Sequence, residues 1–262
     1  MLRALRTAAL GMNAQQTAVD NTANNLANAN TTAYKESRVV FQDLLYQTVQ
    51  APTEGQAEGV ARPATLQMGH GAAPVATVRS FKQGSLIQSG NPLDLAINGD
   101  GFFQILRPDG TISYTRDGSF MRSAEGEVIT QNGLPLEPGI SIPEDTAEII
   151  IGADGVVQVR SQGAADIVEV GQIEIVRFSN PAGLQAMGGN LFDQTEASGE
   201  PIVSTPGEEG AGLIRQAFLE SGNVDVVQEM VNLITSQRAY EINSKMVTTS
   251  EEMLQIANNM KR

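Results

Sequence analysis

The chain has 262 residues, enough for one large domain or two smaller ones with a real core. It contains no cysteine and no tryptophan, which excludes disulfides, thiolate metal sites and a Cys nucleophile. Its formal net charge of −13 argues against nucleic acid as a partner. That charge is unevenly placed. Over residues 1–50, Arg3, Arg6, Lys35 and Arg38 stand against Asp20, Glu36 and Asp43, leaving +1; over residues 223–262 the balance is −1. The acidity therefore belongs to residues 51–222. Near-neutral ends can pack against copies of themselves while an acidic middle stays solvated, although a plain soluble acidic domain has the same pattern.

The first element in chain order is a helix over residues 2–28. Leu2, Leu5, Ala9, Met12, Gln16, Val19, Ala23 and Leu26 alternate steps of three and four, a heptad seam that Ala9, Ala23, Gln16 and Gly11 make thin. Alone in water such a helix is marginal and needs a partner. The Asn-rich run Ala23–Lys35 ends it, because Asn competes with the helical backbone and tolerates turns. No cleavable leader is expected over Met1–Gln16, which has two arginines but no long apolar run. No stretch reaches about 18 consecutive apolar residues, so membrane insertion is not expected.

Val39–Val49 reads as an extended or mixed segment, and residues 51–64 as a polar, breaker-rich loop; residues 31–64 together are expected to pack along the helices. From 65 to 212 the pattern is β-structure. Asp109-Gly110, Asp117-Gly118, Glu125-Gly126, Asn132-Gly133 and Asp154-Gly155 punctuate β-prone runs such as Phe102–Leu106, Glu148–Ile151 and Ile173–Phe178. That spacing predicts hairpins in a mostly antiparallel domain. Residues 213–222 then connect to the last element.

Residues 223–262 contain no Pro and no Gly, so a helix of roughly 36 residues and about 54 Å is expected, capped by Asn223 or Asp225. One stripe runs Val226, Met230, Leu233, Tyr240, Val247, Leu254; another includes Val227, Val231, Ile234, Ile242, Met246, Met253, Ile256 and Met260. Two apolar stripes require cover from more than one side. The expected fold is α+β: N- and C-terminal helices (residues 1–30 and 223–262) pairing as a coiled coil, with other subunits covering what remains, and a central antiparallel β-domain.

No catalytic constellation rises above this background. The single histidine, His70, lies between glycines and reads as an exposed loop residue. Without Cys or a second His a zinc site is not expected. Asn98-Gly99-Asp100-Gly101 lacks the further ligands of a calcium loop and the Lys of a phosphate loop, so a tight turn feeding Phe102-Phe103 is expected. The acidic pairs Glu144-Asp145 and Glu208-Glu209 read as solvated loop charge. No cofactor and no catalytic or metal-ligating residue is assigned.

The residues do carry a resemblance. Gly11-Met12-Asn13-Ala14-Gln15-Gln16, with Asn24, Asn25, Leu26, Asn28, Tyr34 and Lys35, resembles the N-terminal signature of bacterial flagellar rod and hook subunits. Gln237 to Lys245, with Arg238, Tyr240, Glu241 and Asn243, resembles their C-terminal signature. Phe41–Gln47, Asn98–Phe103 and Tyr114–Phe120 fit the same family, so the likeness spans nearly the whole chain. The length and single β-domain look most like a distal rod subunit, and residues 47–66 match the segment that separates rigid rods from flexible hooks.

This resemblance implies a structural protein of the basal body, not an enzyme. It implies export by the flagellar type III apparatus without leader cleavage, and helical polymerisation into a hollow, torque-transmitting tube lined by the terminal helices. The implied partners are copies of itself, proximal rod proteins, the hook protein, and the peptidoglycan-ring and outer-membrane-ring proteins that form the bushing. Ala33 and Ala217 depart from the family, where glycine is usual; if those glycines have positive φ, alanine implies a shifted turn. A hook or proximal rod subunit stays open, as, from another class, does a secreted peptidoglycan hydrolase.

Overall fold

The computed structural model describes residues 2–50, 65–162, 167–208 and 210–260, so the loop expected over 51–64 lies outside the described residues. Two compact units form from interleaved stretches of chain. One comprises Met1–Ala27, Ser37–Val78 and Asp225–Arg262; the other comprises Asn28–Glu36 and Arg79–Val224.

In the first unit, helix α1 (Leu2–Ala27) is followed by β1 (Ser37–Asp43), β2 (Tyr46–Gln50), β3 (Leu66–Gly69) and β4 (Ala72–Arg79), and helix α2 (Val226–Asn259) closes it. The strands pair as β1 with β4 and β2 with β3, giving two two-stranded ladders. Asn21 and Asn25 hold β1 to α1. Asn25 Nδ2 donates to Ser37 O at 2.8 Å, Ser37 N donates back to Asn25 Oδ1 at 3.0 Å, and Asn21 Nδ2 also reaches Ser37 O at 2.6 Å. The Asn run that stops α1 thus also receives the next element. Of the two cap candidates, Asp225 caps α2: its Oδ1 accepts from Val227 N and Gln228 N. Asn223 is spent elsewhere.

The second unit runs through β5 (Leu86–Gln88), β6 (Leu95–Asn98), β7 (Phe103–Leu106), β8 (Ile112–Thr115), β9 (Phe120–Arg122), β10 (Val128–Thr130) and β11 (Leu136–Glu137). It continues through β12 (Thr146–Ile151), β13 (Val156–Ser161), β14 (Ile167–Gln172), β15 (Ile175–Arg177), β16 (Gln185–Gly188), β17 (Leu191–Asp193) and β18 (Ile202–Ser204). The last strands, β19 (Leu213–Gln216) and β20 (Phe218–Glu220), occupy the stretch expected to be a connector and pair with β6 and β5. The largest sheet has the order β11-β7-β8-β17-β16, and β12-β13-β14 form a second. The expected hairpins are present at Asp109-Gly110, Glu125-Gly126 and Asp154-Gly155, with the glycines at φ 80°, 90° and 81°. Asp117-Gly118 is different. A Cβ at Gly118 would overlap Leu95 O, so this pair marks a close chain crossing.

Strand alternation explains the Phe-Phe pair. Phe102 enters a cluster with Tyr114, Val176, Phe178, Leu184 and Phe192, while Phe103 enters the larger core with Ile105, Phe120, Leu136, Val157 and Ile175. Asn98–Gly101 is the tight turn that delivers them, with Gly99 and Gly101 at φ 119° and 148°. The two alanines that stand where the family usually has glycine take up left-handed backbone themselves. Ala33 and Ala217 themselves adopt φ 55° and 61°, held by Ala33 N to Glu220 O and Ala217 N to Asp94 O, both 2.8 Å. Left-handed backbone costs an L-residue about 1–2 kcal/mol, and glycine's added unfolded freedom costs roughly 0.5–1 kcal/mol. Ala217→Gly is therefore expected to raise stability by about 0.5–1 kcal/mol. Urea unfolding checks this, and a lower midpoint for the variant would show Ala217 to be unstrained.

Candidate assembly interface

α1 and α2 pack antiparallel, and the side chains between them are small and polar. Asn25 Nδ2 lies 3.3 Å from Glu229 Oε2 near one end. Further along, a Cβ on Gly11 would sit 2.9 Å from Asn243 Nδ2, so Gly11 is what lets Asn243 approach. The buried residues of the pair are Ala8, Ala14, Thr22, Asn25, Glu229 and Ser250. This face lies beside the seam read from the sequence. Leu5, Met12, Val19, Leu26, Leu233, Val247 and Leu254 are half-buried at its margins, and Ala9, Gln16 and Ala23 are exposed. The side chain of Leu2 lies outside those described.

The rest of the α2 stripes faces outward. Met230, Ile234, Tyr240, Ile242, Met253 and Ile256 are 40–63 % exposed, and Val227 is 73 % exposed. Ala4, Ile242, Met246 and Met253 line, with Lys245, Thr249 and Ser250, an open hollow of about 420 Å³. The four strands of this unit are similarly open, with Leu45 88 % and Tyr46 57 % exposed. In contrast to the second unit, no Leu, Ile, Val, Met or Phe of the first unit is fully buried among the described residues.

The signature residues divide between several tasks. Asn25 ties α1 to β1 and α2, as above. Asn28 Oδ1 accepts from Thr31 Oγ1 at 3.2 Å, shaping the turn after α1, and Asn24 is exposed on α1. Arg238 and Glu241 form an exposed pair at 2.9 Å on α2, of little energetic weight. Tyr34 and Lys35 are buried in the second unit, where Lys35 meets two residues the sequence reading had not joined to it. Lys35 Nζ lies 2.6 Å from Glu220 Oε1 and 2.8 Å from Lys82 O. Arg116 Nε donates to Glu220 Oε2 at 3.0 Å, and Gly84 N donates to Oε1 at 2.8 Å. Asn223 secures the same region: its Oδ1 accepts from Glu36 N at 2.7 Å, and its Nδ2 donates to Ser80 O and Lys82 O. The only signal for Glu220 in the sequence is one acid following Phe218 and Leu219.

The residues weighed for chemistry have ordinary local surroundings. His70 Nδ1 lies 2.9 Å from Leu45 O, Glu144 and Asp145 are exposed, and Glu208 accepts from Thr205 Oγ1. Glu209 lies outside the described residues. No helix of the described residues is long and apolar enough to cross a membrane.

Paired end helices with outward apolar faces and a self-sufficient β-unit define a subunit class, that of axial structural proteins built to assemble. Known families agree segment by segment. Residues 5–35 match the flagella basal body rod protein family, residues 96–159 the flagellar hook protein FlgE/F/G D1 domain, and residues 215–260 the flagellar basal body rod FlgEFG protein C-terminal family. The flagellar basal-body rod protein FlgG of Borreliella burgdorferi is 50 % identical, covering 100 % of both chains. The proteins of that name from Agrobacterium fabrum and Buchnera aphidicola are 46 % and 45 % identical, each covering 97 % of this chain and 98 % of its own. The chain belongs to this family of flagellar basal-body rod proteins, and its role there is structural, as a distal rod subunit, and not enzymatic.

The buried charges give a test of the signature. Burial holds the Lys35 pKa below its ordinary 10.5, with Glu220 opposing and Arg116 adding to the lowering. Between that lowered value and 10.5 the unfolded chain binds more protons than the folded one, so this group's contribution to stability rises with pH. Glu220→Gln, which weakens the one carboxylate shared by two buried cations, is expected to cost about 3 kcal/mol or more. Lys35→Met should cost less, and the wild type should gain on it as pH climbs toward about 10. Urea midpoints across that pH range measure both, and a gain in the opposite direction rejects the assignment.

Proposed function

We propose that copies of this chain polymerise helically through α1 and α2 into a hollow, rigid tube, with the two helices forming coiled-coil contacts inside the wall. The tube acts as the drive shaft carrying motor torque to the hook. Its neighbours along the axis are proximal rod proteins and the hook protein; around it are the peptidoglycan-ring and outer-membrane-ring bushing proteins. The flagellar type III apparatus exports it without leader cleavage.

One observation carries this reading: the first unit has α2 studded with exposed Ile, Val and Met and buries none of these side chains fully among the described residues. Burying such a side chain is worth about 1.5–3 kcal/mol, and a heterologous contact that does not close propagates a filament. Two half-exposed isoleucines from one face, Ile234 and Ile242, make the direct probe. The Ile234→Glu, Ile242→Glu variant should unfold like the wild type in its β-unit but need at least about tenfold more protein to polymerise. Sedimentation and electron microscopy report the outcome, and unchanged polymerisation excludes α2 as the contact.

A unit without its own apolar core also gains order from assembly. Trypsin should cut the monomer quickly at Arg6, Arg238 and Lys245 while sparing buried Lys35, and should spare all four in the polymer. Monomer ends as resistant as those of the polymer would show the helices to be ordered before they assemble.

A further inference from the structure

Leu45 sits at the corner between β1 and β2 in the first unit and is 88 % exposed, more than any other large apolar side chain among the described residues. A single exposed leucine is ordinary on a protein surface. This one is held out on fixed backbone: Leu44 N donates to Gly71 O at 2.8 Å, and Leu45 O lies 2.9 Å from His70 Nδ1. Two residues earlier stands Asp43, exposed, its carboxylate accepting from the Tyr46 hydroxyl and joining no ion pair among the described residues. The same unit holds a recess of matching character. Ala4 of α1 and Ile242, Met246 and Met253 of α2 line the open hollow of about 420 Å³, and Leu45 is not among its walls. Lys245, which shares the hollow, is exposed and likewise joins no ion pair among the described residues.

We propose that Leu45 of a second copy of the chain seats in this hollow, with that copy's Asp43 drawn to Lys245. The proposal rests on the assembly reading above and deepens it by naming what meets the α1–α2 hollow. Unbranched thioethers at Met246 and Met253 reshape around a branched aliphatic group, and a cavity of about 150 Å³ already admits a ring the size of benzene. A leucine therefore enters without moving the helices apart. Because backbone bonds hold Leu45 in place before contact, little ordering entropy opposes docking. The attraction between an exposed carboxylate and an exposed ammonium is modest, and its effect is on orientation. On a chain of net charge −13 it selects the approach that brings Asp43 to Lys245. A projection and a recess at different places on one chain make a heterologous contact, the kind from which a filament grows.

The chain contains no cysteine, so single-cysteine variants report contacts between copies without background. An equal mixture of Leu45→Cys and Thr249→Cys chains, polymerised and treated with a short bismaleimide, should give mixed dimers at least about tenfold faster than Val75→Cys with Thr249→Cys. Val75 is the control because it too is exposed, at 59 %, on the same unit. Leu45→Ala should raise the critical concentration about tenfold and leave the monomer's urea midpoint unchanged, since the side chain is exposed. Asp43→Lys and Lys245→Asp should each weaken polymerisation and together restore it; a double variant no better than the worse single one overturns that pairing. Equal linking by Val75→Cys, or an unchanged critical concentration for Leu45→Ala, overturns the Leu45 contact and leaves α2 as the assembly surface. Linking within a dilute Leu45→Cys, Thr249→Cys double variant would make the occupant the same copy and overturn the second. A wild type that never polymerises removes the assembly reading and this contact together.

Discussion

Thr22, Asn25, Glu229 and Ser250 are buried where α1 meets α2, while the Leu, Ile and Met side chains of the same helices lie at the margins or outside. Most helix pairs bury their apolar stripe and expose their polar one. Here the order is inverted. Hydrogen bonds such as Asn25 to Glu229, and the close approach of Asn243 over Gly11, fix how the helices align but bury little apolar area. Apolar contact is non-directional and scales with area, whereas a buried polar pair works only in one register. The pair thus spends its specific interactions internally and keeps its general attraction for something else.

The contrast with the second unit sharpens this. Its two apolar clusters are filled from both faces of the same strands, as Phe102 and Phe103 or Ile175 and Val176 show, and it needs no neighbour to complete its core. The first unit has only Ala8 and Ala14 as fully buried apolar residues among those described. A chain that divides its stability in this way can be robust in one part and conditional in the other. Conditional order suits a subunit whose remaining cover comes from assembly.

Much of this was legible in the sequence. The two helices, the hairpins at Asp109-Gly110, Glu125-Gly126 and Asp154-Gly155, the Asn98–Gly101 turn and the antiparallel β character all follow from local signals: breaker-free length, turn dipeptides and strand alternation. What local signals could not give was which helix face turns inward. Apolar periodicity assigns the stripe through Leu5, Met12 and Val19 to the seam, but packing selects the face one residue away, where Ala8, Gly11 and small polar groups allow close approach. The strands over 213–220 were equally hidden, because Leu213–Gln216 and Phe218–Glu220 are short and become strands only by pairing with β6 and β5, more than a hundred residues earlier. The same distance conceals the site around Lys35. Nothing in the sequence joins Lys35 and Arg116 to Glu220, and only the fold brings them together.

That buried cluster also explains why Ala33 can stand in a left-handed turn. Its N–H is committed to Glu220 O at 2.8 Å, one residue pair away from the Lys35–Glu220 contact, so the backbone and side chain of Glu220 hold the same segment from two directions. A conformation that costs an alanine about 1–2 kcal/mol persists where surrounding bonds over-determine it. Asn223 closes the arrangement by binding Glu36 N, Ser80 O and Lys82 O, with its own N–H on Tyr34 O. Three remote stretches of chain, 33–36, 80–84 and 220–223, are therefore fastened by backbone-directed bonds from two polar side chains. Glycine at position 33 would relieve strain without altering those bonds, so the alanine is tolerated because of the cluster and is not itself what holds the turn.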